Sequence, residues 1–166
     1  LARNNDLVQA VVMEARAEGL PVHAENPMHT SSGVNLFNLL RTVLEGPGDP
    51  FFQGGVNLGR RRVRKSQFRE LAQGAAVQPE DVESLLRAMV EAPGHDVPSS
   101  QPLREFFAVL DTARAEIQTV QPLDVLQRLV VGLDLPQVET GDPKQDELHA
   151  ATALVLEVAR RLGSAS

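Results

Sequence analysis

Apolar residues recur along most of this chain at helical spacing, not at the strict alternation of a half-buried strand. In residues 6–18, an apolar stripe is followed by Gly19, the residue type expected just after a helix ends. Residues 20–24 form a short apolar run that predicts a strand, and residues 25–32 are polar and predict a loop. One helix and one short strand make half of an α/β unit, which implies a missing sheet.

A second amphipathic helix is predicted over residues 34–45, and the glycines and prolines of residues 46–50 end it. Its predicted inner face consists of Val34, Phe37, Leu40, Val43 and Leu44. We place a boundary after this helix, between a first part at residues 1–50 and a second part at residues 51–166.

The second part is predicted to be helical throughout. The helices are expected over residues 66–73, 77–91, 102–118, 122–131 and 144–162, with loops at residues 92–100 and 132–143. The apolar positions on their inner faces include Leu103, Phe106, Phe107 and Leu110, followed by Leu123, Leu126, Leu129 and Val130. The expected fold class is mainly α, a helical subdomain with a small α/β fragment (one helix and a short strand) at the N-terminus.

Composition excludes several kinds of site. The chain has 166 residues and no cysteine, so disulfide scaffolds and thiolate zinc sites are excluded. The four histidines, at positions 23, 29, 95 and 149, lack the spacing of metal ligands, and no phosphate-binding glycine motif is present. No apolar run approaches the ~20 residues of a transmembrane helix. We therefore expect no metal site, no complete active site and no membrane partner.

The charge of the chain is unevenly distributed. The formal net charge is -6, yet basic residues cluster at Arg60, Arg61, Arg62, Arg64 and Lys65. Ser66 follows them and can cap the next predicted helix. Because cations along a phosphate chain release counterions, this run predicts contact with DNA phosphates, and the alternative is a solvated cationic loop.

Residues 68–89 have the outline of a helix-turn-helix. Glu80, Asp81 and Glu83 would lie at the N-terminal end of its second helix, where carboxylates oppose phosphate. An ordinary helical hairpin is therefore favoured, and a small DNA-binding regulator remains an alternative.

The order of these elements resembles the UvrD/Rep/PcrA-like superfamily 1 DNA helicases. Residues 1–5, the helix after them and Gly19-Leu20-Pro21-Val22 are similar to the motif IV region of the second motor domain. Residues 34–49 are similar to the following leucine-rich helix with its "P-x-D" turn. Three further sets of residues are similar to the accessory subdomain of the family, which is called 2B. They are Leu103, Phe106, Leu110 and Arg114, then Pro122-Leu123-Asp124-Val125-Leu126, and last Asp146-Glu147-Leu148.

The resemblance implies a fragment of an ATP-dependent DNA helicase, with part of a motor domain in residues 1–50 and the accessory subdomain in residues 51–166. It implies that Arg3 contacts the γ-phosphate of ATP, with ATP and Mg²⁺ as cofactors of the intact parent only. It also implies a cytoplasmic protein whose partners are single-strand/duplex junction DNA and the remaining helicase domains.

The chain departs from the family at two places. The family has a "G-I-G-K-x" hairpin that touches duplex DNA where this chain has Arg62-Val63-Arg64-Lys65-Ser66, so arginines replace both glycines. Contact through guanidinium groups would then replace contact through bare backbone. Residues 25–32 also lack the family's "F-F-x-R" segment.

The chain begins at Leu1 instead of Met, and we expect a piece of a longer protein that would not hydrolyse ATP alone. The remaining alternative is a stand-alone helical module that binds a protein partner through an apolar groove.

Overall fold

The computed structural model describes residues 26–59, 62–64, 66–67, 82–91 and 100–164. Regular secondary structure in these residues is helical: a 3₁₀ helix at Pro27–His29, α1 at Ser31–Glu45, α2 at Phe52–Gly55, α3 at Val82–Glu91, α4 at Ser100–Glu116, α5 at Pro122–Gly132 and α6 at Pro143–Ser164. The prediction of a mainly α fold is confirmed. The helix and strand predicted in residues 6–24 lie outside the described residues.

The first long helix, α1, begins and ends at residues suited to those positions. The Thr30 hydroxyl accepts a hydrogen bond from the Gly33 amide at 3.1 Å and donates one to the Pro27 carbonyl at 2.8 Å. Gly46 ends the helix with a φ of 85°, which glycine adopts without steric cost. The short 3₁₀ helix and the first turn of α1 replace part of the loop predicted over residues 25–32.

The buried face of α1 differs from the predicted one. Leu36, Leu39 and Val43 are buried. Val34 and Leu44, which the periodicity placed inside, are 46% and 67% exposed, so the prediction was wrong for these two residues. The helix therefore carries two overlapping apolar stripes, one with Val34 and Leu44 and one with Leu36 and Leu39. The stripe with Leu36 and Leu39 is buried, because it faces α2, α4 and α6.

One hydrophobic core includes residues from all six labelled helices. The Phe52 ring stacks on Phe107 at a centroid distance of 6.1 Å, and Phe106 meets both rings edge-on at 6.0 and 5.7 Å. Leu103 and Leu110 are also buried, which confirms the inner face predicted for α4. The described residues on both sides of the predicted domain boundary therefore pack into the same core.

The last two helices complete this core close to their predicted positions. Leu129 and Val130 of α5 are buried as predicted, together with Val125. At the start of α6, the backbone amides of Lys144 and Gln145 donate hydrogen bonds to the Asp142 carboxylate at 2.9 and 3.2 Å. None of the helices in the described part of the chain is long and apolar enough to cross a membrane.

The contact between the 3₁₀ helix and α1 predicts that Gly33→Ala destabilises the fold by about 2 kcal/mol, because a close-packed site has no room for an added methyl group. A Cβ atom at Gly33 would lie 2.6 Å from Met28 Cα and closer still to the Pro27 carbonyl oxygen. The matched control is Gly163→Ala, since a Cβ there meets no described heavy atom within 4 Å. Urea unfolding of both variants tests this, and equal stabilities would contradict it.

Candidate nucleic-acid interface

An asparagine side chain organises the segment that carries the basic run. Asn57 Oδ1 accepts hydrogen bonds from the backbone amides of Arg62 and Val63, both at 2.8 Å. Its Nδ2 donates to the Val63 carbonyl at 2.7 Å. Gly59, inside the loop, has a φ of 69°, which lets the chain turn back toward Asn57. Asn57 therefore joins the described residues on either side of positions 60 and 61.

Arg62 lies in the interior of the molecule, with 4% of its surface exposed. Its guanidinium donates to the carbonyls of Val56 and Leu58 at 3.2 and 3.0 Å and to the Leu133 carbonyl at 3.4 Å. Its Cζ atom also lies 5.0 Å from the ring centroid of Phe106. The side chain thus fastens the loop to the end of α5. This placement removes Arg62 from the residues that we propose to contact DNA.

Arg64 and Ser66 have the opposite environment, and both are exposed. The Arg64 backbone amide donates to Gln67 Oε1 at 2.8 Å, as in one half of a capping box. Residues 66 and 67 are helical. Arg64 therefore carries a cation at the point where the loop meets a helical segment, and Gln67, not Ser66, makes the described capping contact.

The other predicted site residues cannot be placed in this geometry. Arg60, Arg61 and Lys65 of the basic run lie outside the described residues, as does Arg3. Among the described residues, no three metal-binding side chains form a group that could hold a metal ion.

A buried ionic network joins α1, α3 and α4, and the sequence patterns did not predict it. Glu83 is 1% exposed, and its carboxylate accepts from Arg114 at 2.6 and 2.9 Å and from Arg87 at 2.9 and 3.0 Å. Arg114 also donates to the Thr42 carbonyl near the end of α1, at 3.0 and 3.2 Å. Burial alone would lower the pKa of Arg87, but its hydrogen bonds to Asp111 and Glu83 outweigh that effect and raise the pKa.

One sequence signal points to this network in retrospect. Arg114 continues the helical stripe that contains Leu103, Phe106 and Leu110. A cation on the buried face of a helix needs a buried anion, because an unpaired buried charge is costly. The sequence pattern places the partner, Glu83, at the N-terminal end of the second helix of the favoured helical hairpin.

A surface groove of about 370 Å³ lies between α5 and α6. Val131 on its wall is 68% exposed. Thr152, also on the wall, is 4% exposed, and its hydroxyl has no hydrogen-bond partner in the described part of the chain. The groove combines apolar surface with the side chains of Gln127, Gln137 and His149 and the buried, unpaired Thr152 hydroxyl.

Comparisons of the chain with family models, with curated proteins and with solved structures found no match. The function is therefore proposed from the geometry of the segment that carries the basic run, called the basic loop below, and from the resemblance of the sequence.

Proposed function

We propose that this chain is a fragment of an ATP-dependent DNA helicase or translocase whose helical accessory part contacts duplex or junction DNA through the basic loop. The observation that carries the proposal is the exposed Arg64, which follows two residues whose backbone amides are bonded to Asn57. A backbone that is already held in place loses less conformational entropy on binding than a flexible one.

The contact is expected to be electrostatic and independent of base sequence. The planar Arg64 guanidinium can donate two parallel hydrogen bonds to one phosphate. Arg60, Arg61 and Lys65 are proposed as further cations on the basis of the sequence alone. Because the chain has a net charge of -6, its overall charge does not attract DNA, so binding depends on the cations concentrated at this loop.

ATP and Mg²⁺ belong to the intact parent in this proposal. The only residue assigned to nucleotide, Arg3, lies outside the described residues, so this assignment stays a prediction from the resemblance. The remaining helicase domains would supply the rest of the nucleotide site. In the accessory part, the resemblance concerns the scaffold, since Leu103, Phe106 and Leu110 are buried core positions.

Neutralising the loop tests the proposal. We expect the variant with Arg60, Arg61, Arg64 and Lys65 changed to glutamine to bind a fork junction at least about tenfold more weakly at low salt, because each lost phosphate contact removes counterion release. The single change Arg64→Gln should reduce the slope of log affinity against log salt by about 0.9. Fluorescence anisotropy of a labelled junction over a salt series measures both.

The matched control is Arg160→Gln, which removes an exposed cation from α6. Equal binding by the loop variant and the wild type would contradict the proposal, as would the absence of wild-type binding at low salt.

A helical module that binds a protein partner is the second candidate, and the groove between α5 and α6 is the observation that favours it. Val131 and Val138 near this groove are each 68% exposed. This candidate would lead if the wild type bound no DNA. The DNA-binding regulator has less support, because Val82 and Glu83 at the described start of α3 are buried and cannot reach base edges.

A further inference from the structure

A pocket of about 240 Å³ opens between α4 and α5. Its apolar walls consist of Ala108, Val109 and Ala113 on α4 and Leu129 on α5. The two helices approach closely beside it, because a Cβ atom at Gly132 would lie 2.9 Å from Val109 Cγ2. The pocket is smaller than the range of about 300–1,000 Å³ that holds drug-sized molecules, so it fits only a small ligand.

A carboxylate with one unsatisfied oxygen lines this pocket. Glu116 Oε1 accepts a hydrogen bond from Arg128 Nη1, whereas Glu116 Oε2 is buried and has no hydrogen-bond partner in the described part of the chain. Buried polar atoms without a partner are uncommon in folded proteins, and the cost is largest for charged groups. A ligand that donates a hydrogen bond to Glu116 Oε2 removes this cost, so the pocket favours a donor at this position.

Two further features favour an ammonium group as this donor. Thr112 lines the pocket one helical turn before Glu116, and its hydroxyl donates to the Ala108 carbonyl at 2.9 Å. The lone pairs of the Thr112 hydroxyl oxygen therefore remain as acceptors. Glu116 is also the last residue of α4, where the helix dipole favours a cation. An ammonium group, which has only N–H donors, matches these two acceptors.

Arg128 supplies the opposite charge beside this carboxylate. Its side chain is 57% exposed, and Glu116 is its only hydrogen-bond partner among the described residues. Because a guanidinium has several N–H donors, Arg128 can also bind the carboxylate of a ligand. Asp124, one helical turn earlier on α5, is exposed but does not line the pocket. The pocket therefore combines an acceptor for a cation with donors for an anion, next to apolar walls.

We propose that this pocket binds a free α-amino acid with a small apolar side chain. The ammonium group of the ligand donates to Glu116 Oε2 and Thr112 Oγ1, its carboxylate accepts from Arg128, and its side chain lies against the apolar walls. An α-amino acid carries both charges on one carbon atom, which suits a carboxylate and a guanidinium that are already paired. The pocket lies apart from the basic loop, so this inference does not depend on DNA binding.

Titration of the full, isotope-labelled chain with L-valine, followed by NMR, tests the proposal. We expect saturable chemical-shift changes at the backbone amides of residues 108–116 and 128–129. Two analogues each remove one charged group of the ligand: isovalerate lacks the ammonium group, and L-valinamide has a neutral amide in place of the carboxylate. Each should bind at least about tenfold more weakly than L-valine, the order of one lost charge-assisted hydrogen bond.

Variants of the pocket test the assigned residues. Glu116→Gln and Arg128→Gln should each weaken L-valine binding by at least about tenfold. Ala108→Leu fills the pocket without changing its charge and should abolish saturable binding, and circular dichroism melting should show that it folds like the wild type, because position 108 is exposed. Glu157→Gln and Arg160→Gln are the matched controls, since they remove a Glu–Arg pair on α6, and both should bind L-valine like the wild type.

Three outcomes would overturn the proposal. The absence of saturable shifts at millimolar L-valine would leave a water molecule as the donor to Glu116 Oε2. Equal binding of L-valinamide would identify the ligand as an amine or a peptide N-terminus instead of a free amino acid. Equal binding by Glu116→Gln or Ala108→Leu would place L-valine elsewhere on the chain. None of these results bears on the basic loop, which is tested by DNA binding.

Discussion

Replacing Glu83 with glutamine is expected to lower the free energy of unfolding by about 3–5 kcal/mol, the usual cost of removing one partner from a buried ion pair. The Glu83 carboxylate bridges Arg87 and Arg114, and its side chain is 2% exposed. A neutral amide removes the carboxylate that Arg114 contacts and leaves Arg87 paired with Asp111 alone. It also has fewer acceptor sites for the N–H groups that now converge on the carboxylate. Urea unfolding at pH 7 measures the change.

Glu157→Gln is the matched control, because Glu157 on α6 also lies between two arginines, Arg160 and Arg161. Hydrogen bonding from Arg161 lowers the pKa of Glu157, but the group is solvated, so its loss should have a much smaller effect. A double-mutant cycle of Glu83 with Arg114 should give a large coupling energy. A small coupling, or equal losses in the two glutamine variants, would contradict the structural role of Glu83.

Replacing Arg62 with alanine is expected to destabilise the protein by about 3 kcal/mol, because buried carbonyls would lose a charged donor and buried packing would be lost. The carbonyls are those of Val56, Leu58 and Leu133, and they belong to both the loop and the end of α5. The neighbouring arginine provides the control. Arg64→Ala should change the free energy of unfolding by no more than about 0.5 kcal/mol, since Arg64 is exposed.

These two arginine variants should also differ in DNA binding. Arg64→Ala should weaken binding to a fork junction while the unfolding curve is unchanged. For Arg62→Ala, any loss of binding should follow the loss of folded protein and disappear at temperatures where the variant is fully folded. An Arg62→Ala variant as stable as the wild type, with weakened and salt-sensitive DNA binding, would show that Arg62 contacts phosphate after all.

The comparison of arginines explains why the basic run could not be interpreted residue by residue from the sequence. Arg62 and Arg64 are separated by one residue and have the same side-chain chemistry. One is buried among carbonyls and the other is exposed. The difference arises because Asn57 turns the chain so that Arg62 points toward the end of α5, which is 71 positions away in the sequence. A local sequence pattern around Arg62 cannot predict its hydrogen bond to the Leu133 carbonyl, because that residue is distant in the chain.

The long helices in the described part of the chain could be predicted from local patterns, because their determinants are short-range, whereas no pattern in the sequence indicated the four-residue helix α2. Helical spacing of Leu103, Phe106 and Leu110 identified α4 and its buried face, and Gly46 marked the end of α1. Backbone preference and the 3.6-residue period act within a few residues, so the sequence alone carries this information.

Tertiary packing decided which of the two apolar stripes of α1 is buried. It also decided which arginines are buried and which side chains form ion pairs with Glu83. On α1, Leu36 and Leu39 face the core, whereas Val34 and Leu44 remain exposed. Both sets consist of apolar residues, so burial was decided by the positions of α2, α4 and α6. The same reason applies to the basic loop. Its charged residues can be identified in the sequence, but their exposure depends on contacts between residues far apart in the chain.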